Sequence, residues 1–266
     1  MIERNESRLC QLFAVSGAQS RDYTDELKEF FTHSVDHPHG WGMAMFYDNC
    51  SVSLEKEPEC ASRSRYLKQR LSQRIVVPSL LAHIRYATIG GMEYSNTHPF
   101  VDRDAGGRCW TLIHNGTIFN YPKLRPYLTR QEGTTDSERI LCFLIDQINA
   151  VMNGNPASLD PEKRFHLLDS IVCDMAKGNK LNLILYDGDL MYVHTNFRGS
   201  LYFCESAKST LFCTVPLSRG VWHPVPFTQL LAYRQGQLVF KGTVHGNEYV
   251  PDPEQLKYLY SDFANP

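Results

Sequence analysis

Six strand-like runs, at 181–187, 189–195, 200–205, 210–215, 228–234 and 237–241, fill the last third of the chain. Short turns separate them except between 215 and 228, Asp187-Gly188 and Gln235-Gly236 among the turns. Parallel neighbours need crossovers of a dozen or more residues, so this spacing calls for antiparallel pairing. The earlier chain repeats the pattern with helices added. Trp41–Tyr47 and Ser51–Leu54 read as a hairpin about Asp48-Asn49, Trp110–His114 as a short strand, and Ile75–Tyr86 as a β-rich stretch interrupted near Pro78. Asp22–Phe31, with Tyr23, Leu27, Phe30 and Phe31 at helical spacing, reads as a helix, as do Arg63–Ser72, Asp136–Val151 and Pro161–Ala176. Strand runs kept apart from helix runs give α+β with antiparallel sheets rather than a βαβ repeat. No internal repeat or long linker divides the chain, and the tail after Pro251 reads as a weak surface helix.

Composition excludes several functions. A net charge of −2 over 266 residues gives no global attraction to nucleic acid or to an anionic membrane. The start, MIERNESR, has no apolar core of a signal peptide. The longest apolar stretch, Ile75–Ile84, is broken by Pro78, Ser79 and His83 and is too short to span a bilayer. None of the eight cysteines has C-x-x-C spacing, so they read as reduced thiols of a cytoplasmic protein, with no zinc or redox motif.

Six short stretches carry side chains that chemistry uses. Cys10 opens the apolar run Leu12–Val15 and is either a small buried hydrophobe or a nucleophile at the start of a strand. In HPHGWGMAMF, 37–46, His37 and His39 lack a third ligand at metal spacing and read as a loop entering a strand, Gly40 and Gly42 permitting close backbone packing. LLAHIRYATIGG, 80–91, ends an apolar strand on Arg85, whose planar guanidinium suits a carboxylate ligand or a rim ion pair. Thr88 and Gly90-Gly91 then open a loop to NTHPF, 96–100, where His98 either binds a ligand or braces the turn before Pro99. In WTLIHNGTIFN, 110–120, Asn115-Gly116 is either a type I′ hairpin turn or a pair of donors aimed at one point as an oxyanion hole. The helical look of Pro122, Leu124 and Leu128 counts against the turn. In GTTDSERILCFL, 133–144, Thr135 and Glu138 match a capping box. Asp136 is then a favourable anion in the first turn or, free of capping, a carboxylate for a ligand ammonium.

The joint order is a cysteine near the start, then H-x-R-x-A-T, N-x-H-P, H-N-G and T-D-S-E. From Cys10 to Glu138 this resembles the class II glutamine amidotransferases of the N-terminal nucleophile hydrolase superfamily, in particular the stand-alone members. The resemblance implies a four-layer αββα sandwich with two stacked antiparallel sheets. It implies that Cys10 attacks the side-chain amide of glutamine or of a γ-glutamyl compound and forms a γ-glutamyl thioester that water hydrolyses. The α-amine of Cys10 would be the base, with a pKa of roughly 7.7–8.0. Asn115 and Gly116 would hold the oxyanion, Arg85 the substrate α-carboxylate and Asp136 its α-ammonium, with Thr88 and His98 lining that end of the pocket. The implied partner is the small-molecule substrate, with a separate ammonia-accepting synthase as the alternative. No metal or organic cofactor is implied.

One feature departs from the family pattern. The family's nucleophile stands at the mature N-terminus, whereas here nine residues precede Cys10, and Leu9 is not Met. The expectation is an extension or propeptide at 1–9 and a single domain at 10–266. The alternatives are initiation at a non-AUG codon read as Leu9, or a catalytically silent ligand-binding domain with a blocked N-terminus.

Overall fold

The computed structural model of the protein describes residues 10–48, 51–87, 90–155 and 159–252. The expectations for residues 1–9, Asn49, Thr88 and most of the tail after Pro251 lie outside the described residues. In chain order the strands are β1 (Gln11–Asp22), β2 (Trp41–Phe46), β3 (Val52–Glu57), β4 (Val76–Ile84), β5 (Phe100–Arg103), β6 (Cys109–Thr117), β7 (Lys180–Tyr186), β8 (Met191–His194), β9 (Tyr202–Glu205), β10 (Ser209–Cys213), β11 (His223–Pro224), β12 (Leu231–Arg234) and β13 (Gln237–Lys241). The helices are α1 (Thr24–Thr32), α2 (Arg65–Arg70), α3 (Asp136–Met152) and α4 (Pro161–Met175).

The strands form two antiparallel sheets, ordered β11-β9-β10-β1-β4-β2-β3 and β13-β12-β8-β7-β6-β5. Side-chain alternation sorts the core into three slabs. Leu12 and Ala14 of β1 meet Leu81, Ile113, Ile184, Val193 and Phe212 between the sheets. Phe13 and Val15 point the other way, onto Leu27, Phe30 and Phe31 of α1 and Leu67 of α2. On the far side, Leu112, Leu183 and Leu185 pack against Ile140, Leu144 and Ile148 of α3 and Phe165, Leu168 and Val172 of α4. Three apolar slabs separate four layers, the αββα sandwich expected. Each large apolar side chain buried in them contributes about 1.5–3 kcal/mol. Central strands covered on both faces read as continuous apolar runs, and β1 is buried from Gln11 through Gly17.

Two local expectations are corrected and a third, helix after Asn120, is borne out and specified. First, β4 is not interrupted at Pro78. Opposite it β1 bulges, its register jumping from Ser16↔Ser79 to Arg21↔Val77, while β2 ends its pairing at Phe46↔Ser79. The proline, which has no N–H, sits where the ladder skips a rung. Second, β6 runs three residues beyond His114, through Asn115 and Gly116, which pair with Asn182 and Leu181 of β7. The hairpin-turn reading of Asn115-Gly116 is therefore overturned. Third, the segment after Asn120 is a 3₁₀ helix, Pro122–Thr129, with Pro126 inside it.

Candidate active site

At one end of the inter-sheet layer the apolar filling gives way to polar side chains. Cys10 immediately precedes β1, in step with Leu12 and Ala14. On the opposite sheet Asn115 and Thr117 are in step with Ile113, and Lys180 and Asn182 with Ile184.

The Cys10 thiol is half-buried. Sγ accepts from Tyr86 N and faces Tyr86 O, both at 3.3 Å, so the thiol is tied to the residue after Arg85. Burial pushes its pKa up; the positive charges of Arg85 and Lys180 pull it down, and Asp136 raises it. The same four residues thus share one electrostatic neighbourhood.

Arg85 is 2% exposed, so it is not a rim residue. Its backbone continues the β2–β4 pairing: Arg85 N donates to Gly40 O at 2.8 Å, and His39 N donates to Arg85 O at 3.2 Å. Its guanidinium donates to Gly91 O (2.8 Å) and Gly90 O (2.9 Å), folding the following loop back over it. Asn96 fastens that loop further, donating from Nδ2 to Gly91 O and accepting at Oδ1 from Thr134 N at 2.7 Å. His39 Nδ1 accepts from Ala87 N at 2.9 Å, and His37 Nδ1 donates to His33 O. The two histidines thus brace the backbone, and among the described residues no group of His, Cys, Asp or Glu is arranged to hold a metal.

Gly116 answers to a steric demand. A Cβ there would collide with Lys180 O and with the His114 ring. Asn115 Oδ1 accepts from Lys180 Nζ at 3.2 Å, which leaves the amide nitrogen facing away from β7's lysine. Asp136 begins α3 without capping it, because Thr135 Oγ1 accepts from Glu138 N. The return half of the capping box is missing: the Glu138 carboxylate accepts from Glu132 N and Gly133 N instead. The Asp136 carboxylate accepts from Ile118 N at 2.8 Å and from Ser137 Oγ at 3.3 Å, joining α3 to the end of β6.

His98 is buried beside this centre. It precedes a cis peptide to Pro99, stacks on His83 at 4.0 Å and meets Phe100 edge-on. Burial pushes its pKa well below the ordinary histidine value and that of His83 to about 3. His83 Nε2 donates to His114 O, and His114 Nδ1 bonds Ser137 Oγ at 3.0 Å, so the imidazoles tie β4, β6 and α3 together. Gly42 passes so close to His98 O that a Cβ would collide with it, the tight packing expected of the 40–42 glycines. Sequence reasoning missed Lys180, Asn96 and Lys56, whose Nζ donates to Thr97 O at 2.7 Å. For Lys180 the one available signal is a lone cation at the mouth of an apolar strand.

Solved structures share this architecture. A predicted glutamine amidotransferase from Pseudomonas aeruginosa PA01 superposes with a TM-score of 0.63 at 22% identity, over 87% of this chain and all of that one. The glutamine phosphoribosylpyrophosphate amidotransferase of Bacillus subtilis, complexed with ADP and GMP, gives 0.62 at 17% identity, over 88% of this chain and 49% of that one. At those identities the likeness defines the fold. The family follows from sequence: the profile of the class-II glutamine amidotransferases matches residues 9–207. The chain belongs to that family. An uncharacterized protein of Methanocaldococcus jannaschii is 26% identical over 260 residues, 87% of this chain and 71% of that one. YafJ of Escherichia coli K12 is 32% identical over 162 residues, 60% of this chain and 62% of that one. No helix among the described residues is long and apolar enough to cross a membrane.

Proposed function

We propose that the chain hydrolyses the γ-amide of glutamine or of a γ-glutamyl compound, with Cys10 as nucleophile. The observation that carries this reading is the shared neighbourhood of the Cys10 thiol, Arg85, Lys180 and Asp136, with Asn115 tied to Lys180. The thiol gives its proton to a base, and the sulfur pair attacks the amide carbon. Asn115 Nδ2–H and the Gly116 N–H take the oxyanion. Collapse breaks the C–N bond and expels ammonia or an amine, which carries off the proton held by the base. Water then attacks the γ-glutamyl thioester, the C–S bond breaks, and glutamate leaves with the thiol restored. Arg85 and Asp136 hold the α-carboxylate and α-ammonium, remote from the reacting carbon, with Thr88 and His98 lining that end. The base is the α-amine of Cys10 once residues 1–9 have left the single domain 10–266; the nitrogen of an intact Leu9–Cys10 amide is no base near pH 7. The described cysteines, all free thiols, suit a reducing compartment such as the cytoplasm.

A second reading, an ammonia-donating subunit for a synthase, is supported by the amidophosphoribosyltransferase of Archaeoglobus fulgidus, 33% identical over 106 residues that make up 23% of that protein. One experiment separates these. Intact mass and turnover are measured on the same sample with glutamine, γ-glutamyl peptides and N-acylated glutamine. Activity is expected only in protein that begins at Cys10 and only on substrates with a free α-amine, and Cys10→Ala abolishes it. Asn115→Ala lowers kcat by about 10²–10³. High turnover by protein that retains Met1 throughout would refute the free-amine mechanism, and hydrolysis that is negligible until an acceptor enzyme is supplied would favour the ammonia-donor reading.

A further inference from the structure

Lys180 is 5% exposed and lies on the inter-sheet face of β7, two rungs from the Asn115↔Asn182 pair and on the same face. Its Nζ donates to Asn115 Oδ1 and sits 4.9 Å over the Phe197 ring. No carboxylate forms an ion pair with it among the described residues, and Cys10 is the group whose negative charge favours its ammonium. A buried ammonium without an anion is costly, by several kcal/mol after relaxation. Holding an amide oxygen does not require that cost. Nearby, neutral groups do the same work: Asn182 Oδ1 accepts from Thr195 Oγ1, and Asn196 Oδ1 from Leu181 N. A cation at this point therefore answers to negative charge that arrives later, and the thiol and the reacting carbonyl are where it arrives.

We propose that Lys180 is a positioning residue of the reaction centre, holding the Asn115 amide nitrogen toward the oxyanion and balancing with its charge the anion that passes from the Cys10 sulfur to the substrate oxygen. This rests on the reading of Cys10 as nucleophile. No bond to Lys180 forms or breaks, and its proton stays on Nζ through the cycle. Burial brings its pKa down to about 8 while a thiolate at Cys10 raises it, so the charge is present at neutral pH and each charged form favours the other.

The test uses the full chain. Cys10 alkylation by iodoacetamide is followed against pH by mass spectrometry of its peptide, and kcat and KM for glutamine are measured on the same variants after processing. In Lys180→Met the pH midpoint of Cys10 alkylation rises by about one unit or more, the scale of a lost opposite charge nearby. Its kcat falls about 10–100-fold, short of deleting the donor outright, with KM within about threefold. Lys180→Arg restores the alkylation midpoint. Lys180→Gln, which keeps a neutral donor, stands in if the methionine variant fails to fold, and it shows the same shift in midpoint. An unshifted midpoint together with an unchanged kcat in folded Lys180→Met or Lys180→Gln overturns the proposal. If instead Cys10→Ala retains full turnover, the catalytic reading itself has failed, whatever Lys180 does.

Discussion

The tightest constraint at residue scale falls on Gly116. It is boxed by Lys180 O and His114, so its backbone lies against β7 as no other residue could. Gly116→Ala forces β6 away from β7 at the residues that would hold the oxyanion. We expect a loss of about 1–3 kcal/mol, the usual range for overpacking, and a fall in kcat larger than the rise in KM. Thermal unfolding and steady-state kinetics on one preparation check both, and an alanine variant of normal stability and kcat would show that β6 has room to move. The same position shows where a sequence stops being readable. Asn-Gly after a strand carries the same local signal whether it turns back or runs on. Pairing with β7, more than sixty residues away, decides the matter. Lys180 was hidden for a related reason, since its side chain acquires meaning only through the register that sets it beside Asn115. Cys10, Arg85 and Asp136 were legible because the order of their short motifs along the chain can be read without knowing the fold.

At the scale of elements, the site depends on a loop pinned from two sides. Asn96 joins Gly91 to Thr134, and Arg85 holds Gly90 and Gly91. Asn96→Ala removes the cross-link while leaving the thiol and the β6 donors untouched. KM for glutamine is expected to rise about tenfold with kcat changed little, because the proposed carboxylate clamp loses its frame while the reacting carbon keeps its partners. Equal loss in kcat with KM unchanged would place Asn96 with the chemistry instead. Most elements were visible from periodicity; those that were not are informative. Strand β5 has four residues, of which Val101, Asp102 and Arg103 are exposed, so it shows too little apolar alternation to announce itself. Pro78 looked like a break because its missing N–H is a local fact, whereas the bulge in β1 that accommodates it belongs to another strand.

Across the whole molecule, buried imidazoles link folding to pH. His83 and His194 are pushed down to about 3 by burial, and His98 and His114 are lowered by the same cause. His194 Nδ1 donates to Leu181 O, and its Nε2 accepts from His245, whose own Nδ1 accepts from Asn247 N. Each lone pair in that relay is committed, so a proton added to it breaks a bond. In the unfolded chain these histidines titrate near pH 6.5. Below that pH the unfolded state binds more protons than the native one, so stability is full above pH 6.5 and declines as pH falls toward about 3. The limiting slope is about 1.4 kcal/mol per pH unit for each histidine held neutral. Urea midpoints at pH 7.5 and pH 5.0 should differ accordingly, and equal midpoints would mean that these imidazoles take up protons in the folded state.

The proposed nucleophile and the proposed oxyanion donors ride on different sheets, with Leu12, Leu81, Ile113, Ile184 and Phe212 as the material between. The gap across which sulfur must reach a carbonyl is therefore a thickness, set by side-chain volume as a spacer sets the separation of two plates. Reaction rate becomes a mechanical property of a layer that touches no substrate. Ile113→Val removes one methylene from that spacer, costs about 0.5–1.5 kcal/mol of stability and should lower kcat while KM holds. Hydrostatic pressure, which works against internal void volume, should lower the turnover of that variant more steeply than that of the parent. Parallel pressure–rate curves for the two would show that the sheets keep their distance by some other means.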